Sequence, residues 1–352
     1  MKKKLNICYL APGNSIHSYK WINTFSKKNT VTWFFSGNLD YRIKNVKYYK
    51  LSGGLFFFLS PLIFLTKVLI TKPDIIHIHS ISKNLFIGFL VMLFFKKKVI
   101  LNPWGSDFFY PNIIVSLLQK FISNNIIFTD SFIILNKLKK KNKVFKINFG
   151  VDLIYFNNVH KKNLSKKKII FCPRGYSKLY NQFLIIKFIK QNISKLKDYL
   201  FIFSGSIDLK EFNFLISYIK KNRLIKNIKL FGNLKKNKYK SYLIKSSLLI
   251  SASRSDAGLS SAIAEAMSCK CLVLCTSNRD NPYWVKHMQN GFLFKNDDIK
   301  NFSKTFFKIM NISKSKTNNI RNKAREIQLK NNNLIKEMQK VDSIYKKIAL
   351  KK

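Results

Sequence analysis

Residues 253–294, SRSDAGLSSAIAEAMSCKCLVLCTSNRDNPYWVKHMQNGFLF, hold the densest set of groups able to do chemistry. They follow a short apolar run, SLLIS, that reads as a strand, and a loop of small residues then opens a helical stretch carrying Glu265. The first backbone N–H groups of a helix have no partner inside it, and the helix dipole puts positive charge there. A pyrophosphate is well held at such a place, and Ser260 and Ser261 can add hydroxyl donors. Glu265 lies deeper in the helix, where a carboxylate can accept from both hydroxyls of a ribose. Its neighbours Ala264, Ala266 and Met267 are small or apolar. That face therefore reads as packed, which favours a functional carboxylate over a solvated helix residue.

A second loop of interest is LAPGNSIHSYKWINTF, residues 10–25. Gly13, just after the first strand, permits close backbone approach to a ligand. His17 can touch a ligand such as a phosphate, and a plain helix-capping role fits it equally well. Cys269, Cys271 and Cys275 are close in sequence, but AMSCKCLVLCT reads as a helix end, a tight turn and a buried strand rather than a metal site.

The elements that must position these residues alternate. Strand-like runs fall at Leu5–Leu10, Val31–Ser36, Asp74–His79, Val99–Asn102, Ile126–Phe128, Phe132–Leu135 and Val144–Asn148. A second series falls at Lys168–Phe171, Leu200–Ser204, Ile228–Phe231, Leu248–Ser251 and Cys271–Cys275. Segments such as Tyr180–Gln191 and Lys210–Asn222 are long enough for crossover helices. Strands alternating with helices predict parallel sheets covered on both faces, and the series runs twice. We expect an N-terminal domain over 1–156, a polar basic linker at 157–167, a C-terminal domain over 168–312, and a helical segment over 313–352. In open α/β sheets ligands bind beyond the carboxyl ends of the strands, so the loops there should hold the site.

Composition narrows the function. The chain has 352 residues, 47% of them apolar, which supports two domains with their own cores. Its net charge of +49 suggests a polyanion, either nucleic acid or an anionic membrane. Abundant Lys, Asn, Ile and Phe also fit a compositional origin for the charge. Only seven of the basic residues are Arg, the residue that nucleic-acid readers lean on, so nucleic acid is not expected as a partner. Five cysteines make no disulfide framework in a chain of this length and fit a reducing cytoplasm. The basic start is followed by an apolar stretch too short for a signal peptide. The apolar runs Leu55–Ile70 and Leu85–Phe95 are too interrupted or too short to span a bilayer.

The segment 253–294 resembles the motif region of retaining glycosyltransferases of family four, of group 1 type, in which an acidic residue precedes a helix Glu. Eight residues separate Asp256 from Glu265, where the family has seven, so a one-residue bulge is implied if Asp256 is the acid near the reacting sugar. NGFLF is similar to that family's NGxLV strand. FCPRGYSKLYNQ, residues 171–182, resembles its first strand–loop of the C-terminal domain. The resemblance gives Arg174 and Lys178 the grip on the donor's diphosphate, Arg as a planar fork and Lys as a point charge. PDIIHIHSISKN resembles the family's PDIVHxH strand and places His79 toward the cleft on the acceptor side. NPWGSDFFYP resembles its WGSD loop, which makes Asp107 a catalytic acid or a loop cap. NFGVDLIYF resembles the GVD segment that ends the N-terminal domain.

The resemblance implies a GT-B fold: two Rossmann-like domains with parallel sheets facing a central cleft, the helical segment 313–352 packing back on the N-terminal one. It implies a hexosyltransferase-type enzyme with no metal and no cofactor, its catalytic residues Asp256 and Asp107. The donor would lie on Gly13, Arg174, Lys178, Ser260, Ser261 and Glu265, and the acceptor near His17 and His79. Transfer would retain the anomeric configuration, toward a glycan or lipid-linked acceptor in bacterial envelope polysaccharide or lipopolysaccharide synthesis. Other readings are a nucleotide-sugar epimerase on the same fold and a basic nucleic-acid-binding protein. The expected setting is cytoplasmic, peripheral on the inner face of the membrane, with lysines beside the two apolar runs as anchors.

Overall fold

A computed structural model describes residues 4–51, 54–95, 98–109, 113–118, 125–138, 143–157 and 167–350. The chain divides into two compact units, one of Met1–Phe149 with Ile335–Lys352 and one of Gly150–Leu334. The expected linker lies almost wholly outside the described residues.

The first unit is built on a seven-stranded sheet of order β3-β2-β1-β4-β5-β6-β7. Its strands are β1 (Asn6–Leu10), β2 (Thr30–Phe35), β3 (Val46–Lys50), β4 (Ile75–His79), β5 (Val99–Asn102), β6 (Ile126–Thr129) and β7 (Lys143–Lys146). All pairings are parallel. The helices are α1 (Ile16–Ser26), α2 (Ser60–Thr71), α3 (Lys83–Phe94), α4 (Ser106–Phe109), α5 (Ile113–Leu118) and α6 (Phe132–Leu138). The central strands are covered on both faces, so they read as unbroken apolar runs such as IIHIH, every residue of which is buried.

The second unit has a six-stranded sheet of order β10-β9-β8-β11-β12-β13, again parallel throughout. Its strands are β8 (Lys168–Cys172), β9 (Tyr199–Phe203), β10 (Ile228–Leu230), β11 (Leu248–Ser251), β12 (Leu272–Thr276) and β13 (Phe292–Phe294). Its helices are α7 (Gln182–Gln191), α8 (Leu209–Lys221), α9 (Lys236–Lys245), α10 (Ser261–Ser268), α11 (Asn281–Trp284), α12 (Ile299–Met310) and α13 (Lys314–Asn331). Phe188, Phe201, Phe302 and Phe306 stack in its core.

Two elements differ from the sequence reading. Phe132–Leu135, expected as a strand, opens α6 instead. Four apolar residues in a row suit a strand and a buried helical turn equally, and the decision lies just upstream, where the Ser131 hydroxyl accepts from the backbone N–H of Ile134 at 3.1 Å. Strand β3 was missed because it is an edge strand, half-buried and carrying Lys47 and Lys50, so its apolar signal is weak.

The C-terminal segment serves both units. Helix α13 stays in the second, where Ile320 and Ala324 are buried and Arg325 donates to the carbonyls of Phe156 and Ser268. Helix α14 (Leu334–Leu350) belongs from Ile335 onward to the first. There Glu337 accepts the backbone N–H of Asn148 at 2.8 Å, and the Tyr345 hydroxyl lies 2.5 Å from Nδ1 of His77 and 3.1 Å from the hydroxyl of Tyr9.

Candidate active site

In each sheet the strand order reverses once, between β1 and β4 in the first and between β8 and β11 in the second. At such a switch point the two following loops diverge and leave room for a ligand. Gly13 and His17 follow β1 and His79 ends β4, while Arg174 and Lys178 follow β8 and the 252–260 loop follows β11.

In the second unit the expected residues converge. Gly175 and Gly205 let the loops after β8 and β9 touch: a Cβ on Gly205 would lie 2.4 Å from the Gly175 nitrogen, and both have positive φ. The Arg174 fork is engaged on three sides. It donates to the Ser253 hydroxyl at 3.1 Å, to the Ser260 hydroxyl at 2.7 Å and to the Asp256 carboxylate at 2.5 Å. Its guanidinium lies over the Tyr180 ring at 4.6 Å. Ser260 is the N-cap residue of α10 but makes no side-chain cap bond, because its hydroxyl is turned to Arg174. Ser261 begins the helix, half-buried. Lys178 sits in a short 3-10 turn with its side chain exposed, and its carbonyl accepts from Arg254 at 3.0 Å.

Glu265 is buried on α10. The hydroxyl of Tyr239, on α9, hydrogen-bonds to it. Burial first, and then the adjacent Glu265 charge, hold the Tyr239 phenol well above its usual range. The phenol therefore stays protonated and donates to the Glu265 carboxyl group.

The loop that carries Asp256 is braced by residues that sequence reasoning passed over. Asn281 donates to Asp256 at 3.3 Å, Asn278 accepts the Asp256 backbone N–H at 3.3 Å, and the buried Asp280 accepts the Gly258 N–H at 2.8 Å. These three lie just past β12, in the stretch TSNRDNP. A polar cluster at the carboxyl end of a buried strand is a signal that could have found them. Ser253, Tyr180 and Tyr239 had no such signal, since only the fold brings them to Arg174 and Glu265.

In the first unit the expected residues gather in an aromatic cluster. His79 is fully buried, with ring centroids of His77, Trp21, Tyr9 and Trp104 at 4.4, 5.3, 5.5 and 5.9 Å. Neither of its ring nitrogens has a hydrogen-bond partner among the described residues. Burial, and secondarily His17, push its pKa down to about 3, so the imidazole is neutral. Expected to face a cleft, His79 is instead enclosed. His17 lies against Phe149 at 4.3 Å, and the Ser15 hydroxyl, not His17, caps α1. The close approach permitted at Gly13 is made by the chain itself, since a Cβ there would lie 2.5 Å from the Asn38 carbonyl oxygen. Asp107 is on α4, and its side chain lies outside the described residues.

The five cysteines are free and buried, and burial pushes the thiols of Cys269 and Cys271 up to about 12. They stay protonated and act as packing groups.

Residues 156–327 match the family described as glycosyl transferases group 1, and residues 6–136 match the glycosyl transferase 4-like family. Among solved structures, a glycosyltransferase from Rickettsia africae ESF-5 has a TM-score of 0.82 at 16% identity, covering 99% of this chain and 100% of that one. Anabaena Alr3699/HepE in complex with UDP has a TM-score of 0.78 at 14% identity, covering 97% and 100%. Sucrose-phosphate synthase from Thermosynechococcus elongatus has a TM-score of 0.81 at 12% identity, covering 97% and 99%. At these identities the likeness is one of fold, the GT-B pair of Rossmann-like domains. No curated protein matches by sequence.

Proposed function

The chain is a glycosyltransferase of the group 1, 4-like type, and from that premise we propose that it moves a hexose from a nucleoside-diphosphate sugar to a glycan or lipid-linked acceptor, with retention. The observation that carries the reading is the setting of Arg174: a planar cation at the N-terminus of α10, between two serine hydroxyls and a carboxylate, at the sheet's switch point.

A diphosphate entering there accepts from Arg174 and from the first N–H groups of α10, taking over bonds that Asp256 and Ser260 now hold. Lys178 supplies a second positive charge from the same loop. Glu265, oriented by the Tyr239 hydroxyl, takes the ribose hydroxyls. Asp256, released from Arg174, is left beside the sugar as positive charge develops at its anomeric carbon. The acceptor hydroxyl attacks on the face of the leaving group, whose phosphate oxygen takes the proton. Arg174 and Lys178 offset the charge of the departing diphosphate, and no metal is needed for that step. The structure of Anabaena HepE in complex with UDP-glucose supports a donor of this class. Toward the acceptor the residue is His17, on α1 just after β1. We place the enzyme in the cytoplasm, on the inner face of the membrane, in envelope polysaccharide or lipopolysaccharide synthesis.

Calorimetry of UDP, ADP and GDP binding, followed by assay of the matching nucleotide sugars with and without lipid-linked acceptors, tests this. Acceptor-dependent release of nucleoside diphosphate is expected. Conversion of the donor to an isomer without any acceptor would instead make the protein an epimerase.

A further inference from the structure

Helix α2 has an outer face that solvent does not favour. Its buried side is Ser60, Pro61, Phe64 and Val68, which meets the core. The opposite side carries Leu62, Ile63, Thr66, Leu69 and Ile70, all exposed and none charged. A surface helix normally turns its polar residues outward, so this face departs from the rule for a water-facing helix. Helix α3 lies beside α2. Both connect parallel strands of one sheet, so they run in the same direction and their C-terminal ends lie together. The Lys98 ammonium, just past α3, donates to the carbonyl of Pro73, just past α2, at 3.4 Å. At that shared end Leu69, Ile70, Leu93 and Phe94 are 53%, 67%, 37% and 70% exposed, with Lys72 and Lys98 exposed next to them.

We propose that this α2–α3 face is a docking surface for an anionic lipid bilayer, with Ile70 and Phe94 entering the interface and Lys72 and Lys98 meeting the headgroups. Charge selects this occupant. Residues 54–98 contain six lysines and one acid, Asp74, whose carboxylate accepts the Asn6 N–H at 2.9 Å. A second copy would bring the same lysines against these, in a chain whose net charge is already +49. An anionic leaflet attracts them, and apolar side chains rimmed by lysine are the composition of an interfacial anchor. No helix among the described residues is long and apolar enough to cross a membrane, so the contact is made by this face lying on the bilayer. The inference deepens the reading of a lipid-linked acceptor and rests on it for its purpose.

The test is co-sedimentation of the full chain with phosphatidylcholine vesicles, with and without phosphatidylglycerol, at low and high salt. Wild-type protein is expected to sediment with the anionic vesicles and little with the neutral ones. Ile70→Ser with Phe94→Ser keeps the charge and removes the apolar contact, and should lower the partition coefficient by about tenfold or more. Lys72→Gln with Lys98→Gln should lower it and flatten its salt dependence. An unchanged circular-dichroism spectrum and urea midpoint in each variant certify that the fold is intact. Apolar variants that bind as tightly as wild type would overturn the proposal, since binding would then be by charge over the whole surface. So would wild-type protein that ignores the vesicles and forms a dimer which Phe94→Ser dissolves. Vesicle binding without any nucleotide binding would sink the transfer reading and leave this surface standing.

Discussion

Arg174 and Asp256 act as a pair, and their variants should not behave alike. Arg174→Ala removes a charge-assisted contact to the diphosphate worth roughly 1.5–3 kcal/mol, so the nucleoside-diphosphate dissociation constant should rise by about one to two decades. It also leaves Asp256, whose side chain is only 4% exposed, without its cation, so the unfolding midpoint should fall as well. Asp256→Asn keeps the shape and should mainly lower kcat. Calorimetry and turnover measured on both variants separate the roles, and full turnover in Asp256→Asn would remove that residue from the chemistry. His79 makes a different kind of prediction. Its imidazole titrates near 6.5 in an unfolded chain but at about 3 in the folded protein. Between those values the unfolded state binds more protons, so stability is complete above pH 6.5 and is lost as pH falls through the window, by up to about 1.4 kcal/mol per pH unit. Burial lowers His77 in the same direction. Urea midpoints should therefore drop between pH 7 and 5, and His79→Gln should flatten part of that slope.

At the scale of elements, the 252–260 loop owes its shape to the segment after β12. Asp280 accepts the Gly258 N–H from a fully buried position. Asp280→Ala should leave that N–H without its acceptor and let the loop relax, raising KM for the donor without touching it directly. A crystal structure or a hydrogen-exchange rate for residues 256–260 reads this out, and unchanged protection would show that the brace is dispensable. Helix α14 is tied to β1 and β4 through Tyr345, which meets both Tyr9 and His77. Tyr345→Phe leaves two buried polar groups short of a partner and should cost about 1–3 kcal/mol of stability, measurable as a lower urea midpoint with nucleotide affinity unchanged.

At the scale of the whole molecule, charge governs behaviour more than fold. A net charge of +49 gives long-range attraction to anionic donors and surfaces and screens away with salt. Association with donor should therefore slow as ionic strength rises. Transfer should persist in EDTA, because Arg174, Lys178 and the α10 N-terminus supply the positive charge. Strict dependence on added Mg²⁺ or Mn²⁺ would mean that these groups do not suffice for the leaving diphosphate.

The alternation of apolar runs with helical segments, twice over, determined the two parallel α/β folds, because strands covered on both faces must be apolar along their whole length. Position after those strands pointed to Ser260 and to Glu265 on the helix that follows, since open sheets bind ligands at the carboxyl ends of their strands, whereas Arg174 and Asp256 were named through the family resemblance. The sequence could not show that β8 and β11 are neighbours, because strand order is set by the crossovers, and it is this adjacency that brings Arg174 to Asp256 across 82 residues. Nor could it separate α6 from a strand, where a single serine hydroxyl decides. His79 read as a cleft residue from its place at a strand end. Its enclosure by Tyr9, Trp21, His77 and Trp104 is a matter of packing between distant elements, and periodicity along one strand carries no information about what packs over it.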